Sequence, residues 1–172
     1  TWSPTARAMP VIVFSHGLGG SRDAYQPLVQ AWAEHGYLVL QPTHPDSLAD
    51  ESWRERLDAL RDTRAYAAEN VRYWDERPAE ITYLLNHLDD LAAFLPLDRV
   101  DRERMGVGGH SFGTHTAALC GGLRTLGGDH AEPRTDAILL LSPQGAGNGI
   151  PTDGYAAIQV PTMMVTGSED VS

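Results

Sequence analysis

Hydrophobic positions in the first part of the chain form short continuous runs separated by one amphipathic repeat. The run from Val11 to Phe14 ends in a glycine-rich segment, and residues 37–42 form a second run. Between the two runs, a helix with one apolar face is predicted from Tyr25, Leu28, Val29, Trp32 and Ala33. Buried strands joined by helices predict a parallel sheet that is covered on both faces.

The same alternation continues through the second half of the chain. A long helix is predicted to open near Pro78, with an apolar face formed by Ile81, Leu84, Leu85, Leu88, Leu91, Ala92 and Leu95. Strands are predicted over 104–110, 136–143 and 160–167, and a helix over 112–122 follows the first of them. The pattern therefore predicts an α/β fold with a mostly parallel central sheet.

Residues 43–76 depart from this pattern because charged side chains dominate them. Their apolar residues form a thin stripe at roughly heptad spacing: Trp53, Leu57, Leu60, Ala67, Val71 and Trp74. This predicts a charged helical insertion whose outer surface is solvated. Trp53, Tyr66 and Trp74 either anchor the insertion to the core or line a pocket.

Composition predicts one globular domain over 1–172, since the 172 residues are 42% hydrophobic and 21% charged. The formal net charge of -10 disfavours nucleic acids and anionic membranes as partners, because the protein's field repels phosphates. All 13 basic residues are arginine, which excludes Schiff-base and P-loop lysine chemistry. No apolar run approaches the ~20 residues of a membrane span, so stable membrane insertion is not expected.

Compartment and oligomeric state stay open at this level. Cys120 is the single cysteine, so it forms no internal disulfide and carries no redox signature. The first ten residues lack the features of a signal peptide, and the chain begins without methionine, which suggests a processed or trimmed product. Secreted, periplasmic and cytoplasmic locations are all compatible with these features.

Residues 109–113, GHSFG, match the G-x-S-x-G pattern between a predicted strand and a predicted helix. In that context the pattern exposes a nucleophilic serine, here Ser111, on a strained turn whose flanking glycines avoid backbone collisions. The following helix directs N–H groups toward developing negative charge. The alternative is a glycine-rich turn in which Ser111 is only an N-cap.

A second glycine motif, HGLG at residues 16–19, follows the first predicted strand. Its position predicts that the Leu18 N–H and the Phe112 N–H both point at a substrate carbonyl oxygen. Two such donors form an oxyanion hole, and removing one typically costs ~3 kcal/mol of transition-state stabilisation. We therefore expect Leu18 and Phe112 to be the oxyanion donors beside Ser111.

The segments FSHGLGG and GHSFGTHTA, with RPAEITYLLNHL between them, resemble the α/β-hydrolase superfamily. Within it they are most similar to the platelet-activating-factor acetylhydrolase and dienelactone-hydrolase-like branch, over about Pro10 to Asp170. The resemblance implies an α/β-hydrolase fold and a serine carboxylic-ester hydrolase for short-chain or lipid-type acyl esters. It also implies that Ser111 is the nucleophile and that 43–76 lie where relatives carry a lid. Dienelactone hydrolases proper use cysteine as nucleophile, whereas Cys120 is expected to be a buried structural thiol.

Triad order in this fold is nucleophile, acid and histidine. The resemblance assigns the acid to Asp170, in the turn after the last strand, with Glu169 as the alternative. Both could instead be ordinary solvated turn residues. The histidine is expected after Ser172, on a longer chain that also supplies the C-terminal strand and helix this sheet is expected to lack.

Three histidines are candidates to line the site: His16, His44 and His110. Only His44 follows a strand at the correct end of the sheet, so it is the one candidate for a base among the histidines present. Histidine and cysteine are too scattered to predict a metal site. The glycines form no dinucleotide motif with a ribose-binding acid, so no cofactor is expected.

Two other functions stay open at this level. The same triad serves thioesterases, amidases and polyester hydrolases, and sequence does not separate them. A protein with this fold but without a base would bind a ligand or a partner without turnover. A histidine downstream of Asp170 is the feature that separates the enzyme from the binding protein.

Overall fold

The computed structural model describes residues 8–62, 65–66, 72–91, 94, 97–145 and 149–168. The strands among them are β1 (Met9–Ser15), β2 (Leu38–Leu40), β3 (Val100–His110), β4 (Ala137–Leu141) and β5 (Thr162–Val165). The α-helices are α1 (Gln26–Glu34), α2 (Trp53–Arg61), α3 (Tyr73–Asn86) and α4 (Phe112–Cys120). Short 3-10 helices are formed by Leu88–Leu91, Leu97–Arg99 and Gly154–Ala157.

The strands form one parallel sheet in the order β2-β1-β3-β4-β5. The chain first moves outward from β1 to β2 and then returns to place β3 on the other side of β1. Sheets of this kind bind ligands where the strand order reverses, beyond the carboxyl ends of the strands. The predicted α/β fold with a parallel central sheet is confirmed.

Helices cover both faces of this sheet. Val11 and Val13 of β1 belong to a core that includes Ile81 of α3 and Ala117 of α4. Phe14 lies on the other face, where its ring centroid is 5.6 Å from that of Trp32 in α1. Successive side chains of a strand point to opposite faces, so one strand contributes to both layers.

The carboxyl ends of β3, β4 and β5 lie side by side. His110 pairs with Leu141, and Leu141 pairs with Val165. Just beyond them, the Ser111 N–H donates to the Leu141 carbonyl at 2.9 Å, and the Ser142 N–H donates to the Val165 carbonyl at 2.7 Å. The turns that follow these three strands therefore share one edge of the sheet.

Helix α3 begins and ends earlier than its sequence pattern predicts. It starts at Tyr73, so Pro78 lies inside it rather than in its first turn. The proline removes only one helical hydrogen bond, close to the N-terminal end. The helix ends at Asn86 and continues as a 3-10 helix, because two successive aspartates are poor residues for a helix interior. Two positions predicted for its apolar face lie outside the described residues: Ala92 and Leu95.

Helix α2 is the main described element of the predicted insertion. Ser52 and Glu55 cap it by exchanging hydrogen bonds. Trp53 and Leu57 are 66% and 42% exposed, so they do not anchor the helix to the core. Ala67 and Val71, predicted for the same stripe, lie outside the described residues.

An open groove of about 590 Å³ lies over the first halves of the strands. Its lining includes Ile12, Trp32, Tyr37, Leu139 and Met163. The groove contains neither Ser111 nor the glycine loop, since both lie at the carboxyl edge of the sheet. In the part of the chain that the structure describes, no helix has the length and apolarity to cross a membrane.

Candidate active site

Ser111 occupies a sharp turn between β3 and α4. Its backbone has φ 51° and ψ -118°, and such a left-handed φ costs a residue with a Cβ on the order of 1–3 kcal/mol. Its N–H is held by the Leu141 carbonyl, while its own carbonyl accepts the Thr114 N–H at 2.9 Å and the Thr114 hydroxyl at 2.6 Å. Hydrogen bonds on both sides of the serine therefore hold the strained turn.

The two glycines of the elbow are required by backbone contacts. A Cβ added to Gly109 would lie 2.0 Å from the Gly113 carbonyl oxygen. A Cβ added to Gly113 would lie 2.1 Å from the Ser15 carbonyl oxygen at the end of β1. Neither contact leaves room for a methyl group, so the sequence pattern and the geometry agree.

The glycine loop, residues 16–19, is ordered by the buried ring of His16. His16 Nδ1 donates to the Gly17 carbonyl at 2.7 Å, and Nε2 accepts the His44 N–H at 3.0 Å. This assigns one neutral tautomer from the hydrogen-bond network. Burial, together with the nearby Arg77 charge, lowers the pKa of His16 to about 4. The ring therefore supports the loop and stays unprotonated at neutral pH.

His44 belongs to a hydrogen-bonded chain in the order serine, histidine and acid. The Ser15 hydroxyl lies 2.9 Å from His44 Nε2, and His44 Nδ1 lies 2.5 Å from Glu80 Oε2. Ser15 and His44 are at most 1% exposed, so this serine is closed to substrates. Burial lowers the pKa of His44. Because both of its ring nitrogens are engaged, His44 is not placed to take a proton from Ser111.

Arg77 and Asp46 form a buried ion pair beside the glycine loop. Arg77 Nε and Nη2 donate to the two Asp46 oxygens at 3.0 and 2.6 Å, and neither side chain is exposed. Arg77 Nη1 donates to the His16 carbonyl at 2.7 Å and to the Ser15 hydroxyl at 3.2 Å. Asp46 Oδ2 accepts the Gly19 N–H at 3.3 Å. The pair thus contacts both ends of the loop.

Tyr25 connects the glycine loop to the elbow. Its hydroxyl lies 2.7 Å from His110 Nδ1 and accepts the Gly17 N–H at 3.4 Å. Tyr25 precedes α1 with a left-handed φ of 65°, which turns its side chain toward these partners. His110, the residue before Ser111, is therefore held beside the loop.

The N–H groups of Leu18 and Phe112 have no hydrogen-bond acceptor within the described part of the chain. Phe112 is the first residue of α4, where N–H groups have no partner inside the helix. Leu18 lies in the glycine loop between two residues whose N–H groups are bonded. These are the two donors that the sequence predicts for an oxyanion hole.

The predicted acid, Asp170, and its alternative, Glu169, lie outside the described residues. Strand β5 ends at Val165, which is in register with His110 across β4. Two strand spacings correspond to roughly 10 Å. The turn that leads to Asp170 therefore leaves the sheet at the edge that carries Ser111.

Four histidines remain: His35, His87, His115 and His130. His115 is buried in α4 with its ring 4.4 Å from that of Trp74, and burial lowers its pKa to about 4. No histidine ring of the described residues is hydrogen-bonded to the Ser111 hydroxyl. Among the described residues, therefore, no histidine is placed as the base for Ser111.

Cys120 is buried at the end of α4. Burial raises its pKa to about 12, so its thiol is not a nucleophile at neutral pH. Over the described ranges, no group of three or more histidine, cysteine, aspartate or glutamate side chains could hold a metal ion.

Sequence reasoning missed four residues of this network: Tyr25, Asp46, Arg77 and Glu80. The position of Arg77 could have been noticed in the sequence, because it lies four residues before Ile81 and thus on the apolar face of α3. A charge at such a position requires a buried partner. Nothing in the sequence identifies that partner as Asp46, which is 31 residues away.

A parallel α/β sheet with a strained serine between a strand and the following helix is the arrangement of the α/β-hydrolases. This chain therefore has the fold of the α/β-hydrolase class.

Comparison with known proteins agrees with this class and points to one branch of it. The model of the family described as platelet-activating factor acetylhydrolase, isoform II, matches residues 2–83, which include the glycine loop and Arg77. The chain is 27% identical over 140 residues to a platelet-activating factor acetylhydrolase of Canis lupus familiaris. It is 26% identical over 141 residues to that of Bos taurus.

Each of these two matches covers 65% of this chain and 32% of the relative. The chain thus spans about a third of the length of the curated relatives it matches. The comparisons confirm that it resembles the platelet-activating-factor acetylhydrolase branch of the α/β-hydrolases.

Proposed function

We propose that the protein is a serine carboxylic-ester hydrolase that acts on short-chain or lipid-type acyl esters. The observation that carries the proposal is the strained backbone of Ser111, with φ 51°, in an elbow built on glycine contacts. The N–H groups of Leu18 and Phe112, which have no acceptor among the described residues, support it. The names of the relatives, which are acetylhydrolases, support an ester substrate.

The proposed reaction proceeds through an acyl-enzyme. Ser111 Oγ attacks the ester carbonyl carbon while its proton passes to a general base. The carbonyl oxygen becomes an oxyanion and accepts hydrogen bonds from the Leu18 and Phe112 N–H groups. Collapse of this intermediate breaks the bond to the alcohol, which leaves with the proton from the base. Water then attacks the acyl-serine by the same steps and releases the acid.

The base and its orienting acid are proposed from chain order. We assign the acid to Asp170, with Glu169 as the alternative, and the base to a histidine downstream of Asp170 in the full-length protein. The position of the β5 end beside the elbow supports this assignment. The engagement of both His44 nitrogens by Ser15 and Glu80 also favours a base from elsewhere.

Residues 43–76 are proposed to act as a lid on the domain of residues 1–172. The exposed Trp53 and Leu57 on one side of α2 support this role, because they offer an apolar surface to an acyl chain. The segment contacts the glycine loop through Asp46, which accepts the Gly19 N–H at 3.3 Å, and the Tyr66 hydroxyl donates to the Asp46 carbonyl at 2.7 Å.

The test is turnover of p-nitrophenyl acetate, butyrate and octanoate by the full-length protein. We expect a burst of p-nitrophenol that matches the concentration of enzyme and disappears in Ser111→Ala. Ser142→Ala is the matched control, because Ser142 directly follows the neighbouring strand β4 with a similar φ of 55°. Saturable ester binding without turnover would instead indicate a non-catalytic binding protein. Faster turnover of thioesters or polyesters than of these esters would change the assigned substrate.

A further inference from the structure

We infer that Arg77 is a positioning residue that, paired with Asp46, holds both halves of the oxyanion hole in one geometry. The inference rests on the proposed function, because it concerns the two N–H donors assigned there. It concerns buried side chains that lie beneath the donors and do not touch the substrate.

The first contact of Arg77 fixes the glycine loop. Its Nη1 donates to the His16 carbonyl at 2.7 Å, on the N-terminal side of Leu18. Its partner Asp46 accepts the Gly19 N–H at 3.3 Å, on the C-terminal side. The peptide group that presents the Leu18 N–H is therefore restrained on both sides by one ion pair.

The second contact of Arg77 reaches the elbow. Its guanidinium carbon lies 4.4 Å from the centroid of the Phe112 ring. A cation over an aromatic face is attracted most strongly when both are removed from water, as they are here. Phe112 carries the second N–H donor, so one planar group contacts the two segments that must converge on a single oxygen atom.

The chemistry of the pair favours a geometric role over a purely stabilising one. Buried ion pairs often contribute no more stability than well-packed apolar residues of similar volume. The guanidinium, however, presents donors in a fixed plane, and Arg77 directs them to Asp46, His16 and Ser15. Donor positions matter in catalysis because a displacement of about 1 Å can lower the rate ~100-fold.

The test compares variants of the full-length protein with p-nitrophenyl acetate as substrate. Arg77→Met removes the ion pair, and Asp46→Asn keeps the shape of the side chain but not its charge. Arg77→Lys keeps the positive charge but not the planar guanidinium with its several N–H donors. Arg134→Met is the matched control, because the Arg134 side chain donates to both oxygens of the buried Glu132, at 2.6 and 2.9 Å, and its remaining hydrogen bond goes to the Thr82 carbonyl. Fluorophosphonate titration counts the reactive sites in each sample.

We expect kcat per reactive site to fall about 30-fold or more in Arg77→Met and Asp46→Asn, with KM changed less than about threefold. Arg77→Lys should be intermediate, and Arg134→Met should stay within about twofold. The affinity for a trifluoromethyl ketone, which forms an oxyanion on the serine, should fall in parallel with kcat/KM. Hydrogen exchange at residues 17–20 should be faster in Arg77→Met than in Arg134→Met.

Values of kcat for Asp46→Asn and Arg77→Lys within about twofold of the Arg134→Met value would overturn the inference. These two variants decide the question if Arg77→Met does not fold. A wild-type protein that neither reacts with fluorophosphonate nor turns over esters would overturn the proposed function, and this inference with it. Failure of the proposed function would be seen in the wild-type protein, whereas failure of the Arg77 inference would be seen only in the variants, so the two are distinguishable.

Discussion

The α-carbon of Gly113 lies so close to the carbonyl of Ser15 that a Cβ at position 113 would be 2.1 Å from that oxygen. The contact joins the first turn of α4 to the end of β1. It therefore sets the distance between the turn at Ser111 and the glycine loop that follows Ser15.

Gly113→Ala should be strongly destabilising, because both groups in the collision are backbone and cannot rotate away. We expect a loss of more than ~3 kcal/mol in the free energy of unfolding, or failure to fold. Gly106→Ala in β3 is the control, since its Cβ would be 3.7 Å from the nearest atom. Urea denaturation of both variants checks this, and equal stability would contradict the contact.

Ser111→Gly should be more stable than Ser111→Ala, although both lose the nucleophile. Alanine retains the Cβ that makes φ 51° unfavourable, whereas glycine adopts this conformation freely. We expect a difference of about 1 kcal/mol after the greater chain entropy of unfolded glycine is included. Thermal unfolding of the pair measures it, and a less stable glycine variant would argue against a strained elbow.

Ser15→Ala should leave the reactive serine in place, even though Ser15 lies in a serine, histidine and acid chain. The change leaves His44 Nε2 and Arg77 Nη1 each without one partner. We expect the free energy of unfolding to fall by about 1–3 kcal/mol. Fluorophosphonate labelling should persist, and its complete loss would mean that Ser15 is the reactive residue.

Acidification should destabilise the fold partly through His115. Its pKa is about 4 when folded and 6.5 in the unfolded reference, so the unfolded chain binds more protons between these values. The contribution of the neutral His115 ring to stability is therefore fully present above pH 6.5 and is lost as the pH falls toward 4. His115→Leu removes this group. Between about pH 7 and about pH 5, the variant should therefore lose about 2 kcal/mol less of its free energy of unfolding than the wild type does. Equal losses in denaturation at both pH values would contradict the buried neutral imidazole.

The sheet could be predicted from the sequence because continuous apolar runs are specific to buried parallel strands. The strained turn at Ser111 could be predicted because G-x-S-x-G is local in sequence and its glycines avoid backbone collisions within or next to the turn. The predicted start of helix α3 is wrong. The sequence pattern indicates a start near Pro78, whereas the helix begins five residues earlier, at Tyr73. Tertiary contacts of Tyr73 and Trp74 stabilise a turn that the sequence pattern does not require.

The buried network was beyond local sequence reasoning for a different reason. Arg77 and Asp46 are 31 residues apart, and Tyr25 and His110 are 85 apart. Such pairs form only when the sheet brings β1, β2 and β3 together. His44 follows β2, but its partners Ser15 and Glu80 come from two other elements, β1 and α3.

We propose Ser111 as the nucleophile, and the site of covalent modification tests this role. The full-length protein would be treated with a fluorophosphonate, digested and mapped by mass spectrometry. We expect one adduct, on the peptide containing Ser111. It should be absent in Ser111→Ala and present in Ser15→Ala and Ser142→Ala. No adduct on the wild-type protein, or an adduct on another serine, would contradict it.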